Sequence, residues 1–272
     1  MKIRLTVSML IFLLVAGEAI AVGVATEFSA EAVQQAPMRK EYRAKMYVSN
    51  DAVRTESLIN NIPVVEIVNT KLKTRVLLIE KEKVYLQQYN NPRLKKMVSK
   101  KTNPMIPCAG MENTTCKKLT TEKINNRDTE KWQFTLVENG KNYNSLHWID
   151  VQFRMPVREF FHNGTVMELT MLGAETLGGR LTEKWFMLLT HADGRKVSVT
   201  QWYDPELKIT TREEMSGGYV RELRSIKVEK QRTVLFELPE GYTKIERLPH
   251  YLTPQPGGRA ASFPGERQVI QK

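Results

Sequence analysis

The sequence predicts a mainly β protein. The expected architecture is one long curved antiparallel sheet, an unclosed β-barrel or half-barrel, with a few covering helices and an internally duplicated four-stranded meander. Three observations predict it. From Glu41 to Gln88, apolar and polar residues alternate in short runs separated by turn residues, the texture of half-buried strands. A long phrase built on tryptophan, aspartate and turn glycines occurs twice, about 129–172 and 182–226. Finally, few stretches carry helical periodicity, and a twisted sheet of roughly ten strands or more curls rather than staying flat.

The elements follow in order. Lys2 and Arg4 precede the apolar run Leu5 to Ala16, and Ala19-Ile20-Ala21 is a small-x-small cleavage site, so residues 1–21 are a secretory signal peptide. The run is shorter than the ~20 residues of a membrane span. No cysteine follows it to carry a lipid anchor, and a soluble exported chain is expected. Ser29 to Gln35 predicts a short helix, with Ser29 as N-cap and Ala, Glu and Gln as helix formers. Strands are expected over Tyr42–Val48, Ala52–Ser57, Pro63–Val68, Thr74–Glu80 and Val84–Gln88, joined by short turns into hairpins.

An insertion at about 92–118 interrupts the meander. Pro92 opens a predicted helix in which Leu94, Met97 and Val98 share a side, and Lys95, Lys96, Lys100 and Lys101 cover much of the rest. It reads either as a solvated face or as a basic lid that docks over a groove or on an anionic membrane. Cys108 and Cys116 follow. In an exported chain they are expected to pair. No histidine lies nearby and the spacing is not Cys-x-x-Cys, which speaks against a metal site and a redox pair.

The duplication begins at Thr129-Glu130-Lys131-Trp132, repeated as Thr182-Glu183-Lys184-Trp185. Asn139-Gly140 and Asp193-Gly194 are hairpin dipeptides. From Trp148 and Trp202 the copies align without a gap, Asp150, Arg158, Glu159 and Gly164 matching Asp204, Arg212, Glu213 and Gly218. Trp132, Trp148, Trp185 and Trp202 are expected as packing anchors, and Asp150 and Asp204 as turn caps. From Pro249 the composition turns to proline, glycine and alanine, and 249–272 is expected to be a disordered tail after a folded region of 22–248.

Chemistry is sparse. His147, His162, His191 and His250 are isolated in sequence, no Gly-x-Ser-x-Gly elbow or phosphate-cradling glycine loop occurs, and neither a metal nor a cofactor is expected. The net charge is +11, which in an exported protein points to anionic surfaces or acidic proteins rather than nucleic acid.

Several short phrases carry a resemblance. They are Lys45-Met46-Tyr47-Val48 with Asp51 and Arg54-Thr55-Glu56, and Trp148-Ile149-Asp150 with Pro156-Val157. Trp202-Tyr203-Asp204-Pro205-Glu206-Leu207, and Phe236 with Pro239 and Gly241-Tyr242, complete the set. Across residues 28 to 245 the chain resembles bacterial periplasmic proteins of the outer-membrane lipoprotein-sorting (LolA/LolB-like) architecture. The helix-plus-cysteine insertion departs from the one-unit carriers of that fold.

The resemblance implies an exported, periplasmic, ligand-binding protein and not an enzyme. A lipid, lipoprotein acyl chain or other apolar ligand would lie in the sheet's concave face, for carriage, chaperoning or sensing. The alternative is an envelope interaction or regulatory module that uses the basic surface to hold a protein partner. A third reading, a hydrolase with a dispersed site, requires polar groups that converge only in the fold.

Overall fold

The structure, a computed structural model, describes residues 26–89, 106–109 and 111–252. The expected signal peptide, the basic segment Leu94–Lys101 and most of the expected tail lie outside the described residues. Among the described residues sixteen strands hydrogen-bond in one sheet that is not closed into a barrel. The order is β16-β6-β5-β4-β3-β2-β1-β15-β14-β13-β12-β11-β10-β9-β8-β7. The described residues divide into two compact units: residues 26–32, 43–89 and 224–252, and residues 33–42, 106–109 and 111–223.

The first strand corrects an expectation. Residues Phe28–Gln35 form strand β1, not a helix. Phe28, Ala30 and Val33 are buried, and the strand lies between β2 and β15 in the sheet. Pairing on both sides and burial of these side chains outweigh a helix propensity worth only tenths of a kcal/mol per residue, about 0.7 at most.

In the first unit, β2 (Tyr42–Val48), β3 (Ala52–Ile59), β4 (Ile62–Asn69), β5 (Thr74–Ile79) and β6 (Val84–Tyr89) form an antiparallel meander. Both faces of its β4–β5 hairpin are covered, so these strands read as runs rather than strict alternations. Val65, Ile67 and Leu78 pack with Val76, Tyr85, Phe236 and Tyr242 on one face. Val64 and Ile79 pack with Leu252, Ile245 and Tyr251 on the other. The folded chain therefore extends to Leu252, past the boundary expected at 248, because Leu252 has an apolar site to fill. Arg54 fastens the segment that carries Phe236: Nη1 donates to the Leu235 carbonyl at 3.1 Å and Nε to Glu56 at 2.8 Å. After that segment, the three-residue strand β16 (Thr243–Ile245) pairs parallel with β6.

The second unit holds β7 (Thr114–Ile124), β8 (Arg127–Glu138), β9 (Lys141–Asp150), β10 (Pro156–Phe160), β11 (Val166–Leu177), β12 (Arg180–Thr190), β13 (Lys196–Asp204), β14 (Ile209–Met215) and the first half of β15 (Tyr219–Val228). Its β-bulges recur with the repeat. The register shift at Lys118/Thr120 in β7 has its counterpart at Met171/Gly173 in β11, and that at Pro156/Arg158 in β10 falls where β14 shifts against Trp202/Tyr203. Gly173, with φ +134°, takes a backbone angle that side chains rarely allow. The structural repeat is thus β7–β10 against β11–β14, one strand earlier than the frame legible in the sequence.

Both ends of the sheet order are blunted against pairing with another chain. β16 is three residues long, and β7 carries exposed Lys117, Lys118 and Lys123 together with a bulge.

Cys108 and Cys116 are bonded, with Cα atoms 6.0 Å apart. Cys108 is buried with Phe134 and Ile149, beside Trp132, so the bond pins the 106–109 turn onto the sheet. Replacing both cysteines by serine should lower the unfolding free energy by about 2–3 kcal/mol, because the open loop regains its entropy. Urea denaturation of the oxidised protein and the double variant measures the difference.

Candidate functional site

The residues that the sequence singled out assemble into two copies of one corner. Asp150 and Asp204 are each only 1% exposed. Asp150 Oδ1 accepts the amides of Gln152 and Phe153 at 2.8 and 2.7 Å, and Asp204 Oδ1 those of Glu206 and Leu207 at 2.9 and 3.0 Å. The other carboxylate oxygen pairs with Arg127 in the first copy and Arg180 in the second. Burial alone would push the Asp150 carboxyl up, but Arg127 and the two amides outweigh it and hold the group below the usual aspartate range.

The tryptophans beside these corners are saturated. Trp148 Nε1 donates to Glu122 at 2.6 Å and Trp202 Nε1 to Glu175 at 3.1 Å. The Lys131 ammonium lies 4.7 Å from the Trp148 ring centre and Lys184 4.8 Å from that of Trp202. Arg158 and Arg212 stand over the same rings at 5.5 and 5.4 Å. Trp132 and Trp185 each donate to the glutamate two residues before them, at 3.2 Å. Ring faces covered by cations and N–H groups already bonded leave little with which to stack a ligand. Glu122, Glu175, Arg127 and Arg180 were missed in the sequence. The matching signal was available, since Asn125-Asn126-Arg127 and Gly178-Gly179-Arg180 are both tight turns followed by arginine.

Pairing in the second unit also builds a polar row that no motif announces. Trp132, His147, Glu159 and Met167 lie opposite one another across β8 to β11. Ser145 Oγ is 2.7 Å from His147 Nε2, and His147 Nδ1 is 2.6 Å from Glu159 Oε1. Phe134 stacks on the imidazole with centroids 4.0 Å apart, and Phe161 meets it edge-on at 6.2 Å. His147, isolated in sequence, is thus one of three convergent polar groups.

The same row in the second copy is Trp185, Gln201, Glu213 and Arg221. Gln201 Nε2 donates to Glu213 at 2.8 Å, and the Arg221 guanidinium stands 4.0 Å from the same carboxylate. Burial pushes the Glu213 carboxyl up, against the pull of Arg221, and pushes the Arg221 guanidinium down.

The first unit contributes a depression of about 360 Å³. Leu58, Pro63 and Val65, which share one face of β3 and β4, give it an apolar floor, and Glu31, Arg43, Lys45, Glu56 and Glu80 a charged rim. Arg43 pairs with Glu31 at 3.2 Å, which holds part of the rim in place. Among the described residues no group of three or more His, Cys, Asp or Glu could hold a metal ion.

No protein-family model and no curated protein matches the chain. Solved structures do. A LolA superfamily protein from Nitrosomonas europaea is similar over 78% of this chain and 89% of its own, at 12% identity and a TM-score of 0.34. A DUF1329 family protein from Desulfovibrio piger is similar over 78% and 90%, at 11% identity and a TM-score of 0.34. A domain from Vibrio parahaemolyticus described as a putative outer membrane lipoprotein-sorting protein is similar over 78% and 89%, at 12% identity and a TM-score of 0.31. The likenesses are distant.

Proposed function

We propose that the chain is an exported periplasmic binding protein that holds an amphiphile, a lipid or lipoprotein acyl chain, against its open sheet as a carrier, chaperone or sensor. The observation that carries this reading is the depression in the first unit. An apolar floor takes a hydrocarbon chain out of water, and the charged rim, with Lys45 beside the Arg43–Glu31 pair, suits a polar head group. Its volume of about 360 Å³ falls in the range of small-molecule sites. The corners of the second unit, with their carboxylates and tryptophans already committed to one another, serve the fold in this reading and not the ligand.

Native mass spectrometry and solvent extraction of the purified, exported full chain test the proposal. An amphiphile should co-purify, and the delipidated protein should bind a fluorescent fatty acid. Leu58 is 56% exposed on the floor, so Leu58→Arg should fold normally. It should weaken probe binding by about tenfold or more, since the lost apolar contact is comparable with burying one leucine side chain. Extracts without lipid, together with a natural protein that ignores the probe, would refute the binding role.

A further inference from the structure

The two copies of the repeat differ where their buried polar rows might have been expected to agree. Glu159 and Glu213 are equivalent, but the second copy surrounds its glutamate with Val199, Gln201 and Arg221, whereas the first has Ser145, His147 and Met167 at those places. Glu213 is held by an amide and a guanidinium, neither of which can pass a proton on at ordinary pH. Glu159 is held by an imidazole, which can, and the imidazole's far nitrogen touches a hydroxyl.

The hydrogen bonds fix the tautomer. A carboxylate oxygen only accepts, so at 2.6 Å from Glu159 the His147 Nδ1 carries its hydrogen. Nε2 then presents a lone pair, and the Ser145 hydroxyl at 2.7 Å donates to it. These are the relations of nucleophile to base and of base to orienting carboxylate that acyl-transfer sites share across unrelated folds. His147 is further clamped by the Phe134 stack, which leaves the ring little freedom to turn.

We propose that Ser145, His147 and Glu159 form an acyl-transfer site for carboxylic esters, with the imidazole held between the rings of Phe134 and Phe161. Ser145 Oγ adds to the ester carbonyl carbon while its proton passes to His147 Nε2. The tetrahedral adduct collapses, the carbon–oxygen bond to the alcohol breaks, and the alcohol leaves with the proton from Nε2. Water then attacks the acyl-serine, giving one proton to Nε2, which returns it to Ser145 Oγ as the acid departs. The sum is ester plus water to acid plus alcohol. Glu159 touches no substrate atom and is a positioning residue, holding the Nδ1–H tautomer and the ring plane. The site lies in a different part of the chain from the proposed ligand depression, so that either reading can fail alone.

The test uses the exported full chain with its disulfide formed, a fluorophosphonate probe and p-nitrophenyl butyrate. Mass spectrometry should find one probe adduct, on Ser145, and the protein should turn the ester over. Ser145→Ala and Ser145→Val, the latter being the second copy's residue, should abolish both. His147→Gln restores the second copy's amide to the row, so the fold should survive while turnover falls by about a hundredfold or more. Glu159→Gln should lower kcat with KM unchanged, a split that a merely structural rung would not produce. No adduct on Ser145 in the folded natural protein, or equal turnover by Ser145→Ala, would overturn the proposal. A loss confined to KM in Glu159→Gln would remove Glu159 from it.

Discussion

Asp204→Ala should unfold the protein at markedly lower denaturant, with an unfolding free energy reduced by about 3–5 kcal/mol, the usual result of breaking a buried ion pair from one side. The carboxylate does three things at once. It accepts the Glu206 and Leu207 amides that make the turn, neutralises Arg180, and through Arg180 ties in Glu206, which lies 2.8 Å from the guanidinium. Alanine would leave two amides of a tight turn without their acceptor and Arg180 facing an apolar methyl. Asp204→Asn keeps an acceptor for the amides and loses only the charge, so it should be the milder variant. Asp150→Ala, at the equivalent corner, should behave like Asp204→Ala. Urea titrations followed by tryptophan fluorescence separate the variants, and equal stability of Asp204→Ala and the natural protein would show that the corner bears no load.

Arg221→Met puts the first copy's residue into the second copy and should also destabilise by about 3–5 kcal/mol at neutral pH, because it strands a buried carboxylate. Glu213 and Arg221 are 1% and 5% exposed, so solvent offers the glutamate little compensation. The pH dependence follows from the direction of the Glu213 shift. Burial raises its folded pKa above the unfolded value, so the folded state holds the proton more tightly. Its contribution favours the fold below the unfolded glutamate pKa and is lost as pH rises through the folded pKa. Without Arg221 the folded pKa rises further, and the loss of stability should be largest at neutral pH and shrink on mild acidification. The double variant Glu213→Leu with Arg221→Met removes both charges and should recover much of the deficit. Melting temperatures of the three proteins from pH 5 to pH 8 check this. A deficit that does not change with pH would mean that Glu213 is not the group left uncompensated.

Much of the architecture could be read from particular residues. The alternation of Tyr42, Ala44, Met46 and Val48, and the spacing of turn pairs such as Asn139-Gly140, announce strands wherever the chain is half-buried. The repeat was legible from Trp132 and Trp185 onward because turn residues recur along with apolar ones. Its earlier strand was not, because β7 and β11 share only scattered residues, among them Leu119 with Leu172 and Glu122 with Glu175. Strand β1 was misread for a related reason. Ala, Glu and Gln are good helix formers in isolation, and nothing local reveals that both sides of the segment will be paired.

The candidate acyl-transfer row shows the same limit more sharply. Ser145 and His147 are two apart on one strand and so share a face by local geometry alone. Glu159 reaches them only because β10 pairs with β9 in one register, opposite His147. A slip of one residue would send Glu159 to the other face. The sequence by itself determined most of the strands, the turns, the disulfide and the duplicated aspartate corners, all of which depend on near neighbours or on recurrence. Only the tertiary structure decided which distant polar groups meet, because strand register is set by the burial of whole faces and not by the residues that it brings together.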